Sequence, residues 1–444
     1  MSYRFLMDLA LILLSTKILG IITRRIQLPQ VVGALLAGLV LGPAMLNVLQ
    51  ETEFITQLSE LGVIVLMFTA GLDTDIKELQ KTGKAAFVIA VMGVLLPLFG
   101  GFALAHFFNE GDPSLPTSAM MQNIFIGVIL TATSVSITVE TLKEIGKLST
   151  KAGNAILGAA LIDDILGIIA LTIVTSTADP SVNLWMVLAK IVAFFIFAGV
   201  VGWLFHRFFA WWVAQADKGL QRFVIISFVF CLLMSYCAEE FFGVADITGS
   251  FIAGVILSTC QRTKYIASRF SILSYMLLSP MFFASIGIKV ELPAMSTKIV
   301  MFSLLLLVVA VVSKIIGCGL GAKMMGFTNQ QAIQVGTGMV SRGEVALIVA
   351  NKGAALGLMS STYFGPIVIM IVFTTIVTPI LLKMVFARSH EELIDSNLVE
   401  NYKETSQLDL AEQTLMAMHA DLRAKKPNIT PRSFFDHVIG KKEL

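Results

Sequence analysis

Two adjacent aspartates, Asp163 and Asp164, lie in the middle of an apolar stretch that reads NAILGAALIDDILGIIALTIV. An ionised carboxylate is costly inside a bilayer, so such a group is a functional candidate by default. Successive residues of a helix project about 100° apart, so the two side chains cannot face one partner together. We therefore expect one carboxylate to pair with a cation on a neighbouring helix and the other to face a water-filled cavity.

Lys314, in the apolar segment VVAVVSKIIGCGLG, is the predicted partner of Asp163. The alternative is a lysine whose ammonium group extends to the membrane surface. A carboxyl group in a pocket of low dielectric holds its proton more tightly than in water, so it can exchange that proton for a hard monovalent cation near neutral pH. Because the two aspartates and Lys314 would titrate together, any pH profile would belong to the cluster.

Two further segments combine polar residues with an apolar setting. GVILTATSVSITVETL, from Gly127, includes the hydroxyls of Thr131 and Ser134, and GTGMVSRGEVALIVA includes Arg342 and Glu344. Glycines and hydroxyls at depth allow a helix to break and to supply oxygens to a cation. The alternative for the first segment is hydroxyls that bond to their own helix. For Arg342 and Glu344 we expect mutual or helix-end neutralisation rather than contact with a substrate.

The composition indicates a polytopic membrane protein. Hydrophobic residues make up 56% of the 444 residues and charged residues only 14%, against roughly 25% charged residues in soluble chains. The net charge of +2 gives no sign of nucleic-acid binding, and no cofactor motif is found. The four cysteines lie in apolar segments without a CxxC pair and are interpreted as packing residues (Cys231, Cys237, Cys260 and Cys318).

A helix that crosses a bilayer needs ~20 mostly apolar residues. Thirteen such spans are predicted: 6–22, 29–47, 58–72, 85–107, 119–141, 152–177, 184–206, 220–238, 244–260, 271–288, 298–322, 330–355 and 362–386. Lysine and arginine are concentrated in alternate connections, which predicts an outside N-terminus and a cytoplasmic C-terminus. The transmembrane domain would comprise residues 1–387, followed by a polar cytoplasmic tail at 388–444.

Glycines repeat at one offset in the two halves of the chain. VVGALLAGLVL from Val31 resembles ITGSFIAGVIL from Ile247, and a shift of 216 residues carries Gly33, Gly38 and Gly71 onto Gly249, Gly254 and Gly287. Seven spans separate the partners, an odd number, so the two copies must be inverted in the membrane. Inverted repeats are typical of secondary transporters, which bind their substrate near the midplane where the halves meet.

The motifs GAALIDDILGI, SRGEVALI and GALLAGLVLGP, together with Lys314, resemble the monovalent cation:proton antiporter-2 family over roughly residues 6–386. The resemblance implies a homodimer whose dimerisation domain is spans 1–3 and 8–10, and a mobile core of spans 4–6 and 11–13. It also implies interrupted, crossing spans 5 and 12 and elevator-like alternating access. Asp164 would be the shared carrier of cation and proton, Asp163 would pair with Lys314 until a cation binds, and Thr131 and Ser134 would lie near the site.

The predicted function is exchange of Na⁺ or K⁺ for H⁺ across a cell membrane, in a bacterium. Two acids beside a lysine favour the sodium-type members, and a Kef-like K⁺/H⁺ efflux antiporter is the alternative, although the tail is too short for the nucleotide-binding domain of that branch. A sodium-coupled organic-anion symporter is a remoter alternative, and a passive channel stays open. An intramembrane aspartyl protease, the candidate enzyme, needs aspartates on separate helices. A regulatory partner at the tail is a further possibility.

Overall fold

The computed structural model describes residues 3–25, 28–74, 76–109, 111–112, 114–178, 183–215, 220–260, 263–290 and 297–387. The chain divides into two units, residues 1–391 and residues 392–444. The predicted tail at 388–444, with its proposed regulatory partner, lies outside the described residues.

All the regular elements of the described part are helical. They are α1 (Arg4–Arg25), α2 (Gln30–Leu41), α3 (Glu53–Leu72), α4 (Ile76–Phe108), α5 (Ala119–Ile129), α6 (Val135–Glu144), α7 (Lys151–Ala178), α8 (Leu184–Gln215), α9 (Leu220–Phe242), α10 (Asp246–Ser258), α11 (Thr263–Leu273), α12 (Ser279–Ile288), α13 (Thr297–Met324), α14 (Asn329–Gly338), α15 (Glu344–Ala355) and α16 (Phe364–Ala387). A π-helical turn at Ser274–Leu278 joins α11 to α12, and a 3₁₀ turn at Ser361–Tyr363 precedes α16.

Among the described residues, nine helical segments are long and apolar enough to cross a membrane, and four apolar helices are shorter. Each of the thirteen predicted spans contains helix. The predicted spans 119–141 and 330–355 each contain two helices with a break, at residues 130–134 and 339–343. Helix α4 begins nine residues before its predicted span, at Ile76 rather than 85, because hydropathy marks the apolar part of a helix and not its end.

Close backbone packing explains the glycine pattern. Helix α2 packs against α12, and α3 packs against α10. A methyl group at Gly38 would lie 2.8 Å from the carbonyl carbon of Ala284, and one at Gly287 would lie 2.7 Å from the carbonyl carbon of Gly38. Gly71 and Gly254 face each other in the same way, with the added methyl 2.9 Å from the opposite Cα in either direction. A shift of 216 residues exchanges the two contacts, since it carries Gly38 onto Gly254 and Gly71 onto Gly287.

The glycine contacts predict a large loss of stability on adding a methyl group. Gly38→Ala and Gly254→Ala should each lower the free energy of unfolding by about 1–3 kcal/mol, because the backbones must separate. Gly199→Ala is the matched control: it is also helical, but a methyl there meets nothing within 4 Å, and alanine is the better helix former. Thermal unfolding in detergent measures the three. Equal melting temperatures for Gly38→Ala and Gly199→Ala would contradict the close packing.

Helix α3 connects two faces of the helical bundle. At one end of α3, Asp73 lies 3.1 Å from the ammonium group of Lys143, and we call this end the basic face. At the other end, Glu51 lies 3.3 Å from the ammonium group of Lys289, and we call this end the acidic face. Helix α4 packs against both α7 and α13, which brings the two aspartates and Lys314 to the interior between the faces.

Candidate functional site

An ion pair joins α7 to α13 in the interior. The ammonium nitrogen of Lys314 donates to both carboxylate oxygens of Asp163, at 3.0 and 3.1 Å. Lys314 is fully buried and Asp163 is 2% exposed. A pair so deeply buried leaves neither charge exposed to lipid, which is the condition for placing either charge at this depth. The structure thus brings together Asp163 and Lys314, as the sequence predicts.

Gly93 of α4 leaves the space that this ion pair occupies. A methyl group at Gly93 would lie 2.5 Å from the Sγ of Cys318, 3.6 Å from the Nζ of Lys314 and 3.9 Å from Oδ1 of Asp163. The backbone of α4 therefore forms the wall against which the pair is packed. Sequence reasoning missed this residue. Its position within the apolar run of α4 was the available signal, since a glycine inside a helix costs about 1 kcal/mol without a packing reason.

A cavity of about 610 Å³ extends from the acidic face to both aspartates. Asp164 is 9% exposed and lines this first cavity together with Asp163 and Thr131. Four further acids, missed as site residues by the sequence analysis, also line it: Glu51, Glu60, Glu239 and Asp246. Glu60 lies within α3, Glu239 lies near the end of α9 and Asp246 begins α10. Sequence alone gives no indication that these three helices meet around one cavity.

The breaks between α5 and α6 and between α14 and α15 contact each other. The backbone N–H of Ser134 donates to the carbonyl of Ser341 at 2.8 Å, and the Ser341 hydroxyl donates to the Ser134 carbonyl at 2.7 Å. Thr138 donates to the carbonyl of Gly338 at 2.7 Å. A methyl at Gly343 would lie 2.8 Å from the Ser134 hydroxyl oxygen. Each break satisfies backbone groups of the other, as unwound backbone inside a membrane protein must.

Arg342 donates to backbone carbonyls and does not line the first cavity. It is fully buried, and its guanidinium donates to the carbonyl of Ala132 at 2.5 Å and to that of Ala310 at 3.3 Å. The carbonyl of Ala132 lies just beyond the C-terminal end of α5, where a positive charge is favourable. The Thr375 hydroxyl donates to the carbonyl of Arg342. Glu344 begins α15, but its side chain lies outside the described part, so its predicted neutralising role stays a prediction.

The two predicted hydroxyl residues are placed differently. Thr131 lines the first cavity, and its hydroxyl donates to the carbonyl of Val128 at 2.7 Å. This bond uses the hydroxyl hydrogen and not the lone pairs of the oxygen. Ser134 is fully buried, with its hydroxyl oxygen 3.3 Å from that of Ser136, and is absent from the cavity lining. Thr131 is therefore the better placed of the two to offer an oxygen to a cation in the cavity.

Comparison with known proteins decides the class to which this site belongs. A family model for the transmembrane sodium/hydrogen exchanger matches residues 10–388. The chain belongs to the sodium/hydrogen exchanger family. The Na⁺/H⁺-K⁺ antiporter GerN of Bacillus cereus is 39% identical to it over 389 residues, covering 87% of this chain and 97% of GerN. A Na⁺/H⁺ antiporter of Enterococcus hirae is 36% identical, covering 85% of this chain and 97% of the relative.

The solved structure of the sodium proton antiporter MjNhaP1 from Methanocaldococcus jannaschii has the same fold. It superimposes with a TM-score of 0.62 at 18% identity and covers 86% of this chain and 97% of its own. The chain is accordingly a multi-pass membrane protein and a monovalent cation/proton antiporter, which exchanges Na⁺ or K⁺ for H⁺ and is not an enzyme. The resemblance carried by the sequence motifs is confirmed.

Proposed function

We propose that the antiporter carries its cation and its proton on Asp164, one at a time. The observation that carries this proposal is the unequal placement of the two aspartates. Both line the first cavity, but Asp163 is 2% exposed and held by Lys314 through two hydrogen bonds, whereas Asp164 is the more exposed of the two at 9%. A carboxylate reachable from water binds either a cation or a proton, and this mutual exclusion couples their opposing fluxes.

The second element of the proposal is that Lys314 leaves Asp163 when a cation arrives. A cation seated between the two aspartates, with the Thr131 hydroxyl as a further oxygen ligand, would repel the ammonium group from the position it now holds. Proton and cation would then compete for a cluster of three charges, so the pH dependence of exchange belongs to the cluster as a whole.

We further propose thirteen spans built as two inverted repeats, helices 1–6 and 8–13 of the sequence count, with spans 5 and 12 crossing at their breaks. The exchanged glycine contacts of α2 with α12 and of α3 with α10 support the repeat. The hydrogen bonds between Ser134 and Ser341 support the crossing. In this arrangement α4–α7 and α13–α16 form the mobile core, and movement of that core against the remaining helices provides elevator-type alternating access.

The oligomeric state and the orientation in the membrane are part of the same proposal. Helices α1–α3 and α9–α12 would form the dimerisation domain of a homodimer in a bacterial cell membrane. The basic face, which carries Arg24, Arg25 and Lys143, would be cytoplasmic, as the distribution of positive charge favours. The tail at 388–444 would then also be cytoplasmic, where a regulatory partner can reach it.

Na⁺ is the proposed cation, and K⁺ is the alternative, because GerN is named for both ions and 97% of its length is matched. Transport by purified protein in liposomes against a Na⁺, Li⁺, K⁺ and Rb⁺ series, with and without a clamped membrane potential, tests this. We expect exchange with Na⁺ and Li⁺ at lower concentrations than with K⁺ and Rb⁺. Exchange with K⁺ and Rb⁺ alone would instead establish the Kef-like alternative.

A further inference from the structure

A second cavity, of about 520 Å³, lies at the basic face. It lies between α6 and three other parts of the chain: α1, α2 and the segment from Ser271 to Phe283. Helix α6 belongs to the proposed core and the other segments belong to the proposed dimerisation domain. The second cavity therefore lies on the boundary between the proposed core and the proposed dimerisation domain. The first cavity lies on the same boundary, at the acidic face.

The repeat relates the linings of the two cavities. Gln30, Tyr275 and Met276 line the second cavity, and a shift of 216 residues pairs them with Asp246, Ser59 and Glu60 of the first. The interrupted helices correspond as well. Glu140 is the sixth residue of α6 and lines the second cavity, and Val349 is the sixth residue of α15 and lines the first. The second cavity is thus the counterpart of the one that reaches Asp164.

An aromatic pair separates the two cavities. Phe282 lines the first and its neighbour Phe283 lines the second, and each is 2% exposed. Their ring centroids are 4.9 Å apart. They share a hydrophobic cluster with Val135 and Ile137 of α6. The aromatic pair therefore lies between the two cavities, in one hydrophobic cluster with α6.

The charged groups in the second cavity are largely committed to partners. Lys143 pairs with Asp73 at 3.1 Å, and Glu144 accepts from the backbone N–H of Gln30 at 2.7 and 2.9 Å. Lys17 donates to the hydroxyl of Tyr275. None of these contacts uses Glu140. Its half-buried carboxyl group lines the cavity and is the acidic side chain there that these contacts leave unused.

Hydroxyl oxygens lie across this cavity from α6. The π-helical turn at Ser274–Leu278 brings Ser274 and Tyr275 into the lining, and the Ser274 hydroxyl lies 2.8 Å from that of Ser279, which also lines the cavity. Single π turns within helices are frequent at functional sites. A water molecule occupies roughly 30 Å³ of liquid, so the cavity is large enough for a cation that retains much of its hydration.

We propose that the second cavity is a cation entry site on the basic face and that Glu140 is the carboxylate that receives the hydrated monovalent cation there. This inference rests on the proposed transport through Asp164, because an entry site matters only if the ion continues to a carrier between the faces. The acidic face has its own entry acids, Glu60 among them.

The test is the sidedness of the kinetic effect. In Glu140→Gln, the KM for the cation presented at the basic face should rise about tenfold, which corresponds to about 1.4 kcal/mol of lost attraction, while the KM at the acidic face and the maximal rate stay unchanged. Glu60→Gln is the matched variant and should raise the KM at the acidic face alone. Glu140→Asp keeps the charge and should restore most of the affinity. Everted and right-side-out vesicles measure the two faces.

A KM in Glu140→Gln that is unchanged at the basic face, or that rises equally at both faces, would overturn the entry site. Either result would come from a protein that still transports. Failure of the proposed carrier is a different observation, namely retained exchange in Asp164→Asn, so the two proposals fail in distinguishable ways.

Discussion

Asp164→Asn should abolish cation-driven proton movement. The amide retains the shape of the carboxyl group but can neither take up a proton near neutral pH nor provide a full negative charge to a cation. The expected loss is complete within the sensitivity of the assay, because one group serves both ions. Addition of Na⁺ or K⁺ to everted vesicles loaded with a pH-gradient dye measures it.

Asp112→Asn is the matched control for this variant. Asp112 lies in the connection between α4 and α5, where its carboxylate accepts hydrogen bonds from Ser114 and from Ser360. The side chain and the backbone of Ser114, and then Ser360, hold the pKa of Asp112 below its usual value. The control therefore removes an ionised carboxylate of the same kind, away from the first cavity, and should leave exchange intact. Retained exchange in Asp164→Asn would remove Asp164 from the carrier role.

Lys314→Met should destabilise the protein strongly and change its pH profile. Asp163 is 2% exposed, so removal of its partner leaves a buried charge uncompensated. Breaking a buried ion pair from one side costs about 3–5 kcal/mol. The variant should unfold at a lower temperature in detergent, and the pH dependence of exchange should shift, because Lys314 belongs to the charged cluster for which proton and cation compete.

The double variant Lys314→Met with Asp163→Asn separates charge pairing from simple loss of packing. It has neither buried charge and should regain most of the stability lost in Lys314→Met. A double variant no more stable than the single one would show that the lysine stabilises α13 by packing and not through Asp163. An unchanged pH profile in Lys314→Met would count against a role of the Asp163–Lys314 pair in transport.

The charged centre of the site could be predicted from sequence because intramembrane charge is expensive. Asp163, Asp164 and Lys314 stood out within apolar segments for that reason alone. The glycine repeat was equally visible, since close helix packing needs residues without a side chain at fixed positions. Neighbouring residues of a helix point about 100° apart, so only one of the two aspartates could pair with Lys314. The family resemblance indicated that this one is Asp163.

Other parts of the site depend on contacts that no local pattern reports. The partners of Arg342 are the backbone carbonyls of Ala132, in the break after α5, and of Ala310 in α13. Every residue has a carbonyl, so sequence cannot single these two out. Thr131 and Ser134 are three residues apart in the same break, yet only Thr131 lines the first cavity. Ser134 instead contacts Ser341, a residue from the opposite half of the chain, and no local pattern reports that contact.

The second cavity was equally hidden. Glu140 stands near the polar end of its predicted span, where an acid is unremarkable. Its significance comes from the packing of α6 against α2 and from the π turn before α12, which together create the space. The internal repeat relates the lining of the second cavity to that of the first cavity, which reaches the two aspartates.

The pH dependence of the KM for the transported cation tests competition between proton and cation most directly. In liposomes with equal pH on both sides, competition between one proton and one cation predicts a KM that rises about tenfold for each unit of pH decrease on the acid limb, with an unchanged maximal rate. A maximal rate that falls with acidity at constant KM would mean that proton and cation bind to different groups, and would contradict the shared carrier.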